Sequence, residues 1–159
     1  GSPKFDKLAN TMRKDVEIPR EWQRIINRPD GTAKKIIFYN NSIGALLAQN
    51  EKMIAKIESV FRIFKENREE IALLWRPHPL IEATIKSARP DLWERYQKIV
   101  EAYQIEGWGI YDDTSDLNRA IALSDAYYGD ESSVVHLCRR KGMPVMIQNT
   151  NIISKMMEF

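Results

Sequence analysis

The chain has 159 residues, a formal net charge of only +2 and a hydrophobic fraction of 43%, which suits one domain built on an ordinary core. So small a net charge supplies no global field to gather nucleic acid or an acidic membrane surface, and no apolar run approaches the length of a membrane span. The single cysteine, Cys138, rules out an internal disulfide and any multi-cysteine zinc site, and its place in Val134-Val135-His136-Leu137-Cys138 marks it as a buried, inert thiol.

Residues 1–33 carry Pro3, Pro19, Pro29 and Gly31 among scattered charges. Short helices are predicted at 7–14 and 19–27, the second with Trp22, Ile25 and Ile26 on one face turned to the core. Lys34-Lys35-Ile36-Ile37-Phe38-Tyr39 is a continuous apolar run behind two lysines, the pattern of a strand buried on both faces. A turn-prone loop, Asn40-Asn41-Ser42-Ile43-Gly44, leads into one long amphipathic helix over 46–67, with Met53, Ile54, Ile57, Phe61 and Phe64 at helical spacing.

Residues 70–75 read as a second buried strand, stopped by Arg76-Pro77-His78-Pro79 because proline cannot continue a ladder. Helices follow at 80–88 and 91–104, and a third strand at 107–111. Capping groups in Asp112-Asp113-Thr114-Ser115-Asp116 introduce a helix at 117–123. The next stretch is a β-α-β unit: a strand at 126–128, a helix opening at Ser132-Ser133 and stopping at Gly142, and a strand at 145–148. A last helical piece is predicted from residue 152. Alternating strands and helices give an α/β domain over residues 1–159, a doubly wound parallel sheet of about five strands with helices on both faces.

In such a sheet, ligands bind outside the carboxyl ends of the strands. Three polar clusters fall at those ends: Asn40–Gly44, Arg76–Pro79 and Asp130–Ser133. Ser132 and Ser133 have two readings, a plain helix cap or an anion seat where unpaired N–H groups and the positive end of the helix dipole face a phosphate. His78, stiffened between two prolines behind an arginine, either serves a phosphate or packs at a turn, with Arg76 pairing a surface carboxylate. His136 is expected to be half-buried on its helix. Asp130 and Glu131 are awkward beside a phosphate, so one of them is expected to meet ribose hydroxyls or backbone. The first loop is neither a Walker loop nor a dinucleotide fingerprint, and two histidines without a partner pattern make no metal site.

Several stretches resemble the CDP-glycerol glycerophosphotransferase family, the teichoic-acid-type polymerases and primases of bacterial envelopes. They are Gly1-Ser2-Pro3-Lys4-Phe5-Asp6, Arg76-Pro77-His78-Pro79, Asp113, Asp116-Leu117, Ser124-Asp125-Ala126, Asp130-Glu131-Ser132-Ser133-Val134 and Gly142-Met143-Pro144-Val145. The resemblance spans nearly the whole chain and implies the C-terminal, Rossmann-like, nucleotide-binding half of a two-domain GT-B enzyme. It implies that Arg76 and His78 contact the diphosphate of CDP-glycerol and that Ser132 and Ser133 hold a phosphate. Asn41, Ser42, Asp130 and Glu131 would then belong to the donor loops. No metal or cofactor is implied. The catalytic base and the polymer acceptor site would lie in the other half, so this half alone is expected to be inactive in transfer. The implied location is cytoplasmic, at the inner face of the bacterial membrane in the full-length form.

The sequence departs from the family pattern in two loops. Asn40-Asn41-Ser42 stands where a Pro-Thr-Phe-Arg-like segment is usual, and Asp130-Glu131 where an Asp-Tyr pair is usual. Three other readings therefore stay open: a GT-B glycosyltransferase using another donor, a nucleotide-sugar epimerase of the same architecture, and a non-catalytic Rossmann-like interaction module.

Overall fold

The computed structural model describes residues 16–147; the helices expected at 7–14 and from residue 152 lie outside them. Five strands, β1 (Lys35–Asn41), β2 (Ile71–Pro77), β3 (Ile110–Tyr111), β4 (Ala126–Gly129) and β5 (Val145–Ile147), form one sheet in the order β3-β2-β1-β4-β5. Every neighbouring pair is parallel. Around the sheet lie α1 (Arg20–Ile26), α2 (Ile43–Gln49), α3 (Glu51–Glu66), α4 (Ile81–Ala88), α5 (Trp93–Glu106), α6 (Leu117–Leu123) and α7 (Ser133–Arg140), with a 3-10 turn at Pro90–Leu92 before α5. This is the α/β, doubly wound, Rossmann-like architecture expected from the alternation of elements.

The period of two along the strands sorts the core into two layers. Ile37, Tyr39, Leu73 and Trp75 pack with Met53, Ile57 and Phe64 of α3, Ile85 of α4 and Tyr103 of α5. Ile36, Phe38, Ala72 and Leu74 pack on the other face with Trp22 and Ile26 of α1, Ile121 of α6 and Val135 of α7. Because both faces are covered, β1 and β2 are apolar without alternation. Trp22 and Ile26 dock as their spacing predicted, and Ile25 packs against them partly buried.

The chain winds outward from β1 through β2 to β3 with α2–α5 on one face. It then returns along α6 on the opposite face to place β4 beside β1. The direction of winding therefore reverses between β1 and β4, which makes their carboxyl ends the topological switch point of the sheet.

Three boundaries differ from the sequence expectation. The helix expected over 46–67 is broken at Asn50, whose φ of 52° lies in the left-handed region and separates α2 from α3. Strand β1 runs through Asn40 and Asn41, which pair with Arg76 and Pro77, so β2 also continues past Trp75. The prolines do not end it early because Pro77 is its last residue and the ladder is carried on by the His78 N–H donating to the Asn41 carbonyl (3.0 Å). The third strand keeps only two residues. Gly107 is the left-handed cap of α5, and Gly109 passes so close under Tyr103 that a Cβ there would lie 2.3 Å from its hydroxyl oxygen.

Candidate functional site

Two helices begin at the switch point, α2 behind β1 and α7 behind β4, and their first turns are served differently. Ser42 caps α2: its Oγ accepts the Ala45 N–H at 3.1 Å. Asp130, from the loop after β4, reaches across and accepts the Ser42 N–H on Oδ2 at 2.8 Å. A carboxylate of the chain thus already stands at the start of α2, and that is how Asp130 meets backbone, as its sequence context suggested.

At α7 the position before the helix is Ser132, but the side chain makes no capping bond. The Asn40 side chain takes it instead, donating from Nδ2 to Ser132 Oγ at 3.3 Å and to the Tyr127 hydroxyl at 3.2 Å. The Ser133 and Val134 N–H groups meet no acceptor among the described residues. Ser132 is therefore not the plain helix cap that its spacing allows. Of the two helix starts at this crevice, α7 is the one left open, with exposed Ser133 and half-buried Ser132 beside it.

Sequence reasoning did not single out Tyr127 and took Asn40 only as part of the Asn40–Gly44 cluster, yet these two hold the loops in register. The Tyr127 hydroxyl donates to the Asp130 carbonyl, and the Asp130 N–H donates to the Asn40 carbonyl at 3.2 Å. Burial pushes the Tyr127 phenol well above its ordinary range, so it remains a hydrogen-bond donor. Gly129 makes the crossing possible: its φ is 154°, and a Cβ there would come within 2.3 Å of the Asn40 carbonyl oxygen. The period-two pattern that puts Phe38 and Asn40 on one face was available in the sequence. Their partner, 87 residues further on, was not.

Comparison with family models, with curated proteins and with solved structures returns no match. Fold and site therefore stand on the residues of this chain.

One strand further out, the other candidates separate. Asn41 is buried at the end of β1 with its Oδ1 accepting the Trp75 indole N–H at 2.7 Å, on the sheet face away from Asn40. Arg76 does not pair a surface carboxylate. Its side chain is 10% exposed and faces Asp112, whose side chain is fully buried, across 3.7 Å, too long for a hydrogen bond. The guanidinium donates to the Thr114 carbonyl at 3.1 Å, and Asp112 Oδ1 accepts the Thr114 N–H and hydroxyl at 3.0 and 2.6 Å. Thr114 thus ties the loop after β3 to both side chains, while Arg76 Nε and Asp112 Oδ2 stay buried without a hydrogen-bond partner among the described residues.

His78 is exposed, and its Nδ1 accepts the Leu80 N–H at 3.1 Å. In the neutral ring that bond leaves the proton on Nε2, a donor directed away from the backbone. His78 borders a cleft of about 370 Å³ between the ends of β2 and β3 and helices α4 and α5. His136 is exposed on α7 rather than half-buried, and Glu131 is exposed beside the open helix start. Cys138 is fully buried, and burial pushes its thiol up to about 12. Among the described residues no group of His, Cys, Asp and Glu is placed to hold a metal ion, and no helix is long and apolar enough to cross a membrane.

Proposed function

We propose that this chain holds the nucleotide end of an activated donor, CDP-glycerol or a related nucleotide-linked polyol or sugar, as one half of a two-domain transferase of the bacterial envelope. The observation that carries the reading is the open start of α7 at the switch point, where Ser132 is turned to Asn40 instead of capping its own helix. Amides at a helix N-terminus with a hydroxyl beside them suit a phosphate. His78 would supply a second donor from the loop after β2, on the far side of β1, with its tautomer held by Leu80.

In the transfer, an acceptor hydroxyl attacks the β-phosphate of the donor, the new P–O bond forms as the bond to CMP breaks, and the hydroxyl proton passes to a base in the partner half. The part of this chain is positional and electrostatic: donors fixed before the reaction hold the diphosphate as charge shifts toward the leaving CMP. The full-length enzyme would work in the cytoplasm, at the inner face of the membrane. A second reading, a non-catalytic interaction module, draws on one observation: the start of α2 is occupied by the carboxylate of Asp130.

Calorimetric titration of the chain with CDP-glycerol, CMP, a UDP-sugar and ADP tests the proposal. Binding of the cytidine nucleotides is expected, and His78→Ala should weaken it by about 1.5–3 kcal/mol, the worth of a hydrogen bond to a charged group. Because the side chain is exposed, the melt should shift little. Unchanged affinity in H78A would remove His78 from the site, and binding of no nucleotide would leave the module reading.

A further inference from the structure

The loop after β3 has two sides. On one, Asp112, Asp113 and Thr114 wall the cleft beside His78; on the other, Thr114 is the meeting point of a series of polar contacts. Its hydroxyl donates to Asp112 Oδ1 at 2.6 Å and accepts from Arg119 Nη2 at 3.3 Å, and its carbonyl accepts from Arg76 Nη2 at 3.1 Å. Arg119, on α6, sets its guanidinium carbon 4.4 Å from the centre of the Trp22 ring on α1. α1 buries two side chains, Trp22 and Ile26, so Trp22 is both an anchor of that helix and its link to Arg119. An unbroken series of contacts therefore runs from α1 through Arg119 and Thr114 to Arg76, Asp112 and the cleft wall.

Three buried atoms along this series have no hydrogen-bond partner among the described residues: Arg119 Nε, Arg76 Nε and Asp112 Oδ2. Two belong to cationic donors and one to an anionic acceptor, so the series holds the groups for a further bond and leaves it unmade. Buried polar groups in that condition cost free energy. Arg76 Nε and Asp112 Oδ2 already face each other at 3.7 Å. A charge-assisted hydrogen bond needs about 2.8 Å, so a shift of about 1 Å in the loop would close the gap. What stands against that shift is the Thr114 hydroxyl, which is shared between Asp112 and Arg119.

We infer that the loop over residues 112–116 has two seatings and that the contact of Trp22 with Arg119 selects between them. With its guanidinium over the Trp22 ring, Arg119 retains Thr114, and the Asp112 carboxylate stands off Arg76. When α1 is displaced, Arg119 releases Thr114. The Asp112 carboxylate then closes on Arg76 Nε and draws Asp113 and Thr114 with it, because Asp112 Oδ1 holds both the amide and the hydroxyl of Thr114. Packed elements of this kind move between discrete arrangements. The cleft beside His78 thus changes its wall in response to a helix on the other face of the sheet, whatever the cleft binds.

The test follows the Arg76 Nε–H and the His78 and Tyr111 ring signals by NMR of the 159-residue chain, with no ligand added. Arg119→Met keeps an apolar stem on Trp22, removes the guanidinium and retains the backbone bond to Asp116. Thr114→Val removes the shared hydroxyl at an exposed position. In both variants exchange of the Arg76 Nε–H with water should slow about tenfold, and the His78 and Tyr111 signals should move. Trp22→Phe keeps a ring but weakens its hold on a cation, and should give the same changes in smaller measure. Combining R119M with T114V should add nothing to either alone, since both cut one path. An Arg76 signal unmoved in R119M and T114V would overturn the second seating, even if the melting temperature falls. A response there with none in W22F would overturn control by α1, and silent His78 and Tyr111 signals would overturn the effect on the cleft. None of these readouts uses a nucleotide, so the donor reading stands or falls by its own titration.

Discussion

The two helix starts at the switch point look alike in sequence, each a serine before an apolar helix, and they differ in what those serines do. Ser42 bonds its own helix and receives Asp130 at its amide, so the start of α2 is closed by the chain itself. Ser132 bonds Asn40, and the start of α7 stays open. Along the rim the leftover capacity is unlike in kind: exposed His78 keeps Nε2, while buried Arg76 donates to the Thr114 carbonyl and faces Asp112 at 3.7 Å with its Nε lacking a hydrogen-bond partner among the described residues. A polar residue at a strand end is a candidate for ligand binding only by the hydrogen-bonding capacity that the fold leaves over.

The largest effect on that arrangement is expected at Gly129. Gly129→Ala drives a Cβ against the Asn40 carbonyl at 2.3 Å, which separates β4 from β1 at the site itself. A loss of about 3 kcal/mol or more is expected in urea denaturation; a loss below about 1 kcal/mol would mean that the two strand ends part easily. Tyr127→Phe comes next. It leaves the Asp130 carbonyl and one Asn40 donor without their shared partner, at a cost of about 1–3 kcal/mol for buried groups left unsatisfied.

The serine pair gives the sharper comparison. Ser42→Ala should cost about 1 kcal/mol, a lost cap, and leave pyrophosphate affinity unaltered. Ser132→Ala should leave the helicity of α7 as it is and lower pyrophosphate affinity about five- to tenfold. Equal losses of stability in both variants, with equal affinities, would abolish the distinction between a closed and an open helix start.

The smallest effect concerns a part of the surface with no role in the site. Lys65 donates to Glu106 at 2.6 Å, and that hydrogen bond, aided by the Trp108 indole N–H, holds the Glu106 carboxyl below its usual range. With the folded pKa depressed, the pair stabilises the protein above the unfolded carboxyl value of about 4.3, and the contribution disappears as pH falls through the folded value. Both side chains are more than two-fifths exposed, so Lys65→Ala should cost only a few tenths of a kcal/mol at pH 7. The stability difference between pH 7 and pH 3 should be smaller in K65A than in the parent chain by that amount, other carboxylates contributing equally to both.

Much of this was legible in the sequence. Unbroken apolar runs gave β1 and β2, and period-two residues such as Phe38 and Tyr39 were bound to go to opposite faces whatever packed there. Asp116 capped α6 as its spacing foretold, its Oδ1 accepting the Arg119 N–H at 2.9 Å. The break at Asn50 left little trace, since apolar spacing continues across it and only one residue takes the unusual backbone angle. Strand ends were misjudged at Asn40, Asn41 and Pro77 because the partners that keep them in the sheet come from other strands.

Periodicity, turn chemistry and the positions of polar clusters thus determined the layers, the parallel sheet and the rim on which a ligand can sit, because those properties depend on residues a few positions apart. Only the tertiary structure decided that Ser132 faces Asn40, that Asp130 closes α2, that Arg76 is buried facing Asp112 instead of a surface carboxylate, and that Trp93, Tyr96 and Tyr111 line one cleft. Each of these turns on a hydrogen bond or contact between segments far apart in the chain, and local spacing carries no record of which distant group will claim a donor first.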